Sequence, residues 1–96
     1  MKIVAVCGFG VGSSLLLKMT IDKAFKLLGY DLEAENTDLT TARSIACDAI
    51  FTSVDMAEEF REIRKVPVYA IKSYMSVDEV KRALEDFIRV YKEQHS

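Results

Sequence analysis

The sequence has no tryptophan, one proline and one histidine among its 96 residues. Its two cysteines, Cys7 and Cys47, stand far apart. No stretch approaches the roughly 18 consecutive apolar residues of a membrane span. Basic charge is not in excess either, with a formal net charge of −2 at pH 7. Each scarcity closes off a class of function. A single histidine, His95, leaves no His-based triad and no His-rich metal site. Two distant cysteines make neither a disulfide framework nor a zinc site, and they point to a reducing cytosol. Without a basic patch there is no electrostatic case for nucleic acid. An apolar content of 50% with so little proline excludes disordered and collagen-like classes. The length fits one domain over 1–96 and leaves no room for a second core.

Residues 1–17 read MKIVAVCGFGVGSSLLL, one early lysine followed by apolar residues, as in a secretory signal. Gly8, Gly10 and Gly12 interrupt that would-be helix, and the apolar run before them is only Ile3 to Val6. The stretch reads instead as a strand followed by a loop, and the protein is expected to be soluble and intracellular.

Strand-like and helix-like segments alternate along the rest of the chain. Lys2 to Val6 is apolar on both faces, as a central parallel strand requires. Ser13 or Ser14 is placed to cap a helix carrying Leu17, Ile21, Ala24 and Leu28, with Gly29 as its C-terminal stop. Asp31 to Asn36 alternates polar and apolar residues and suits a sheet edge. Thr37 to Ala46 holds a short helix, and Asp48 to Ser53 a third strand. Asp55-x-x-Glu58 reads as a capping box before a helix with Met56, Phe60 and Ile63 on one face. Val66 to Ile71 is a fourth strand with Pro67 at its start. Ser76-x-x-Glu79 caps a last helix with Val80, Leu84, Phe87 and Tyr91 at helical spacing. This β-α-β-α-β-α-β-α order predicts an α/β fold: three αβα layers around a four-stranded parallel sheet. The apolar first and third strands belong in the middle, giving the order 2-1-3-4. In such sheets ligands bind beyond the strand carboxyl ends where the winding reverses, and Cys7 stands there.

The segment Cys7-Gly8-Phe9-Gly10-Val11-Gly12-Ser13-Ser14 joins that strand to the helix. Glycines let consecutive N–H groups turn inward and form an anion nest. The helix aims its positive end at the same point, and the two serines add hydroxyl donors. The field that binds phosphate also stabilises a thiolate, so the Cys7 pKa is expected below that of free cysteine. A thiolate beneath a phosphate nest is set to attack phosphorus.

Related loops are set apart by what is missing. A Walker loop needs a lysine after its last glycine, and Ser13 stands there. The dinucleotide pattern fails at Ser13, although Glu35 on the second strand is placed to meet a ribose. Cysteine phosphatases use Cys-x5-Arg, whose arginine clamps the phosphoryl oxygens, and Ser13 again takes that place. The loop suits a phosphoryl carrier. Two alternatives stay open: a non-catalytic phosphate- or nucleotide-binding module, and a small cysteine phosphatase.

The stretch Ala5 to Met19 resembles the N-terminal signature of the IIB components of the bacterial phosphoenolpyruvate-dependent sugar phosphotransferase system. The ascorbate-type branch is closest, with a similar Cys-Gly-x-Gly-x-Gly-Ser-Ser loop followed by Lys-Met; the galactitol-type branch is less alike in its glycines. The resemblance implies that Cys7 takes a phosphoryl group from a phosphohistidine of a IIA protein. It then passes the group to a sugar, ascorbate-like or a pentitol or hexitol, held by the membrane component IIC. Gly8, Phe9, Gly10, Val11, Gly12, Ser13 and Ser14 would hold the phosphoryl oxygens. No metal or organic cofactor is needed, since such transfer rests on positioning and charge stabilisation. A cytoplasmic monomer, associated with the membrane only through IIC, is the expected state.

Other residues have plainer readings. Cys47 reads as a buried, inert thiol with no basic neighbour in sequence. Arg61, Arg64 and Lys65 suit a helix C-terminus. Met19 and the leucines before it read as helix core, with Leu15 and Leu16 also placed to form a docking rim. Lys72, Ser73 and Tyr74 follow the fourth strand on the active edge, as a rim of the site, a contact for the IIA partner or a solvated loop. His95 reads as a frayed-end residue.

Overall fold

A computed structural model describes residues 1–7, 11–30 and 32–95. Four strands, β1 (Lys2–Val6), β2 (Glu33–Asn36), β3 (Ala49–Ser53) and β4 (Val68–Ile71), form one parallel sheet in the order β2-β1-β3-β4. Between them run α1 (Val11–Leu28), α2 (Leu39–Ala42) and α3 (Val54–Ile63), and α4 (Val77–His95) follows β4. The expected order 2-1-3-4 is the observed one. Its cause is visible in burial: Ile3 to Val6 and all of β3 are buried, whereas every residue of β2 is exposed or partly so. A strand apolar on both faces must be covered twice, so β1 and β3 take the centre.

Side-chain alternation sends the strands' apolar groups into two cores. On one face Ile3, Ala5, Ala49, Phe51 and Ile71 meet Leu17, Ile21, Ala24 and Phe25 of α1 and Val80, Leu84, Phe87 and Ile88 of α4. On the other, Val6, Ile50 and Val68 meet Ala42 of α2 and Ala57 and Phe60 of α3. Phe60 is the one large side chain that α3 buries in that smaller core, and truncating such a residue to alanine costs about 3–5 kcal/mol.

The element ends differ from the sequence expectations in instructive ways. Helix α1 starts at Val11, so Ser13 and Ser14 lie in its first turn and do not cap it. Helix α3 starts directly from β3 with Ser53 as N-cap, which leaves Asp55 inside the first turn and no Asp55–Glu58 box. No loop separates strand from helix there, so the last strand residue must be the cap. On α3 the buried pair is Ala57 and Phe60; Ile63, in the final turn, is half-exposed. Before α4, Ser76 Oγ accepts from the Glu79 N–H at 3.3 Å, but the Glu79 carboxylate turns away to take the N–H groups of Lys72 and Ser73 at 2.7 and 2.9 Å. Half of the expected box forms, and its other half braces the β4–α4 turn. Gly29, at φ +75°, ends α1 as expected, its N–H donating to Phe25 O at 2.9 Å. Asp38 caps α2, its Oδ1 accepting from Thr41 N–H at 2.7 Å. Asp31, expected to open the second strand, lies outside the described residues.

Candidate functional site

The winding reverses between β1 and β3, because the chain leaves β1 for β2 and leaves β3 for β4 on the other side. Cys7 follows β1 at that point, 2% exposed and part of the core beneath α1 and α4. Gly8, Phe9 and Gly10 lie outside the described residues, as does the side chain of Val11. The rest of the expected cradle is the first turn of α1. Gly12 is exposed, with nothing within 4 Å of where a Cβ would stand, so that approach is open. Ser13 is partly buried and Ser14 fully so. The N–H groups of an α-helix's first three residues lack intrahelical acceptors, so those of residues 11–13 are donors by construction.

Two further hydroxyls lie near Cys7, Ser53 at the end of β3 and Tyr74 in the β4–α4 turn. Val6 is in register with Thr52, which puts Ser53 level with Cys7. Strand alternation turns Ser53 to the Cys7 face and Thr52 to the opposite one. Ser53 is 4% exposed, and neither it nor Thr52 has a hydrogen-bond partner for its hydroxyl among the described residues. A buried hydroxyl without a partner costs about 1–3 kcal/mol. The second group, Tyr74, is packed on the same core. Its phenol neighbours the Cys7 sulfur without a hydrogen bond to it in the resting structure. It also neighbours Ser53, but at no geometry that satisfies the serine Oγ.

Burial pushes the Cys7 thiol up, and Tyr74 offsets only part of that. The lowered pKa expected from the sequence is therefore not what the described surroundings produce. Desolvation penalises a thiolate, and among the described residues no cationic side chain acts on this sulfur. The Tyr74 phenol is itself pushed up, first by burial and then by Cys7, so it stays a hydrogen donor.

Cys47 lies at the opposite, amino edge of the sheet. It has a basic neighbour after all, in space: Arg64 Nη2 stands 3.8 Å from its sulfur. The same guanidinium donates to Ala42 O at 3.0 Å and Ile45 O at 2.7 Å, closing the end of α2. Burial pushes the Cys47 thiol up, with Arg64 opposing. Glu35 pairs with Lys2 at 2.8 Å in a partly exposed ion pair. Leu15, Leu16 and Met19 of α1, Val54 at the start of α3 and Met75 after β4 are exposed apolar side chains, so Met19 is not core. Ser53 was missed in the sequence because nothing local ties a strand-end serine to a cysteine on another strand; Tyr74 was placed on the correct edge, as a rim or partner contact or a solvated loop. No helix among the described residues is long and apolar enough to cross a membrane.

Comparison with known proteins agrees with this architecture. Residues 2–86 match the family described as PTS system, Lactose/Cellobiose specific IIB subunit. The ascorbate-specific PTS system EIIB component of Mycoplasma pneumoniae is 30% identical over 86 residues, covering 88% of this chain and 90% of that protein. The lactose-specific IIB component domain of the phosphoenolpyruvate:carbohydrate phosphotransferase system from Streptococcus pneumoniae superposes with a TM-score of 0.71 at 17% identity, over 93% of this chain and 95% of that one. The Enzyme IIB subunit of the PTS system from Escherichia coli K12 gives 0.58 at 16% identity, over 99% and 95%. At such identities the two structures speak for the fold.

Proposed function

The chain belongs to the IIB family of the sugar phosphotransferase system, and from that premise we propose that Cys7 is its phosphorylated residue. Membership makes the protein a phosphotransferase of sugar uptake, and such components work with IIA and IIC partners in general. In this reading, residues 1–96 are one phosphocarrier domain. Cys7 accepts a phosphoryl group from a phosphohistidine of IIA, and Gly8 to Ser14 hold the phosphoryl oxygens. The group then passes to a sugar, ascorbate-like or a pentitol or hexitol, bound by IIC. The protein is a cytoplasmic monomer that meets the membrane only through IIC, and no cofactor takes part.

One observation carries the reading: a buried cysteine at the switch point, below the first turn of α1 and level with the partnerless Ser53 hydroxyl. The raised thiol fits the chemistry. As the N–P bond of the donor breaks and the S–P bond forms, the thiol proton passes to the leaving imidazole nitrogen. A protonated resting thiol also resists oxidation between turnovers. The exposed rim of Leu15, Leu16, Val54 and Met75 supports docking of a partner over the site.

Incubation with phosphorylated upstream carriers, followed by mass spectrometry, tests this directly. Phosphate on Cys7 is the expected result, and phosphate on His95 sinks the assignment. An aryl phosphate assay separates carrier from phosphatase. With Ser13 where a phosphatase has arginine, hydrolysis should stay near background, because losing one preorganised donor already costs about 10²–10³ in rate. Robust turnover without a partner overturns the carrier reading.

A further inference from the structure

If Cys7 carries the phosphoryl group, as just proposed, the first turn of α1 supplies backbone donors from one side. The opposite side is made of side chains contributed by β3 and by the β4–α4 turn. We propose that Tyr74 is a catalytic residue whose hydroxyl donates to the Cys7 sulfur as the S–P bond breaks, and that Ser53 beside it donates to a phosphoryl oxygen.

The turn that carries Tyr74 is held at several points. Thr20 Oγ1 of α1 lies 2.5 Å from Tyr74 O and 3.1 Å from Leu16 O, so its one proton is shared between them. The Glu79 carboxylate takes both the Lys72 and Ser73 N–H groups, and Ser76 N–H donates to Ser73 O at 3.2 Å. None of these bonds uses the phenol. Together they fix the backbone from which the phenol reaches the sulfur, which is the preorganisation that makes a donor effective in a transition state. Ser53 adds an independent sign. It occupies the N-cap of α3, where a serine ordinarily accepts from the helix backbone, yet its side chain makes no such bond. Its hydroxyl stays buried, without a partner, on the face of Cys7.

The chemistry balances without any other group. When the phosphoryl group leaves cysteine, the S–P bond breaks and its electron pair remains on sulfur. The acceptor hydroxyl forms the new O–P bond, and its proton ends on sulfur, restoring the thiol. Tyr74 keeps its own proton throughout. It stabilises the sulfur at the moment of greatest negative charge, in a place where no cation does so among the described residues. Ser53 acts earlier, by satisfying an oxygen of the resting phosphocysteine.

Tyr74→Phe removes the hydroxyl and keeps the ring that packs on the core. Phosphoryl exchange between phospho-Cys7 and its phosphohistidine partner should slow by about 10–100-fold. The pH midpoint of Cys7 alkylation should move upward, a change that loss of packing alone does not predict. Ser53→Ala should leave the alkylation midpoint in place and shorten the half-life of the phosphorylated protein several-fold. Exchange within twofold of wild type in Tyr74→Phe, with Cys7 still phosphorylated, overturns the inference and leaves the functional reading intact. An unmoved alkylation midpoint overturns it as well. Failure of wild-type Cys7 to take phosphate removes the functional reading, and this inference with it.

Discussion

The two cysteines occupy opposite ends of one sheet and are perturbed in the same direction, yet only Cys7 stands at the switch point, level with a partnerless hydroxyl. Burial pushes both thiols up. Cys47 has the more obvious activator, a guanidinium at 3.8 Å. That guanidinium is already committed, with two carbonyls held at 3.0 and 2.7 Å. Cys7 has no cation among the described residues, but a buried hydroxyl without a partner, that of Ser53, stands level with it. A nearby charge therefore says less about function than whether the local donors already have acceptors. At the amino edge the Arg64 guanidinium serves the fold. At the carboxyl edge the Ser53 hydroxyl has no partner among the described residues, which is what the proposed phosphocysteine would supply.

The sharpest way to break this contrast is to exchange the sulfurs one at a time. Cys7→Ser should abolish phosphate incorporation with the fold intact by circular dichroism, while Cys47→Ser should incorporate phosphate like wild type. Incorporation retained in Cys7→Ser, or lost in Cys47→Ser, would reverse the roles of the two edges. A smaller effect is expected from Arg64→Met. It removes two charge-assisted bonds to partly buried carbonyls and should lower stability by about 1–3 kcal/mol in urea unfolding. Phosphate transfer through Cys7 should be unchanged below the denaturation range. A transfer defect in the folded variant would show that the two edges are coupled.

The carboxyl edge was half legible in the sequence, and the reason is distance along the chain. Strand, glycine loop and helix are consecutive, so the position of Cys7 followed from local pattern and the switch-point rule. Strand order followed as well, because Ile3 to Val6 has no polar face and the second strand has one. Ser53 and Tyr74 come to Cys7 through pairing of β1 with β3 and β3 with β4, which no local pattern encodes. Arg64 was seen as a helix-terminal charge, but its acceptors lie in another helix and the loop after it. Helix starts were misread where capping residues were weighed apart from the strand before them. Ser53 must cap α3 because β3 runs straight into it, and Asp55 then comes too late.

Titration sharpens the comparison at the next level. A thiol whose pKa is raised on folding binds its proton more tightly in the native state. Its contribution is complete below the unfolded thiol value of about 8.5 and is lost as pH rises toward the folded value. Stability should therefore fall above that pH, and Tyr69, pushed up by burial and by Asp86, should add to the loss at still higher pH. Cys7→Ala and Cys47→Ala should each flatten the alkaline limb measured by urea unfolding at several pH values. A limb unchanged in both variants would mean that neither thiol is desolvated in solution.

The smallest expected effect tests the idea of unengaged donors most directly. Removing a hydroxyl that has a partner normally destabilises a protein, and Ala at an N-cap commonly costs about 0.5–2 kcal/mol. Ser53 makes no cap bond, and its Oγ has no other partner among the described residues. Burying that hydroxyl is itself unfavourable. The unphosphorylated Ser53→Ala protein should therefore be as stable as wild type, or more stable by up to about 1 kcal/mol. Once Cys7 is phosphorylated the order should invert, because the wild-type hydroxyl then gains an acceptor that alanine cannot meet. Paired unfolding curves, with and without phosphate on Cys7, read both states. A clear loss of stability in the unphosphorylated variant would mean that Ser53 is already engaged, and the contrast between the two edges would lose its basis.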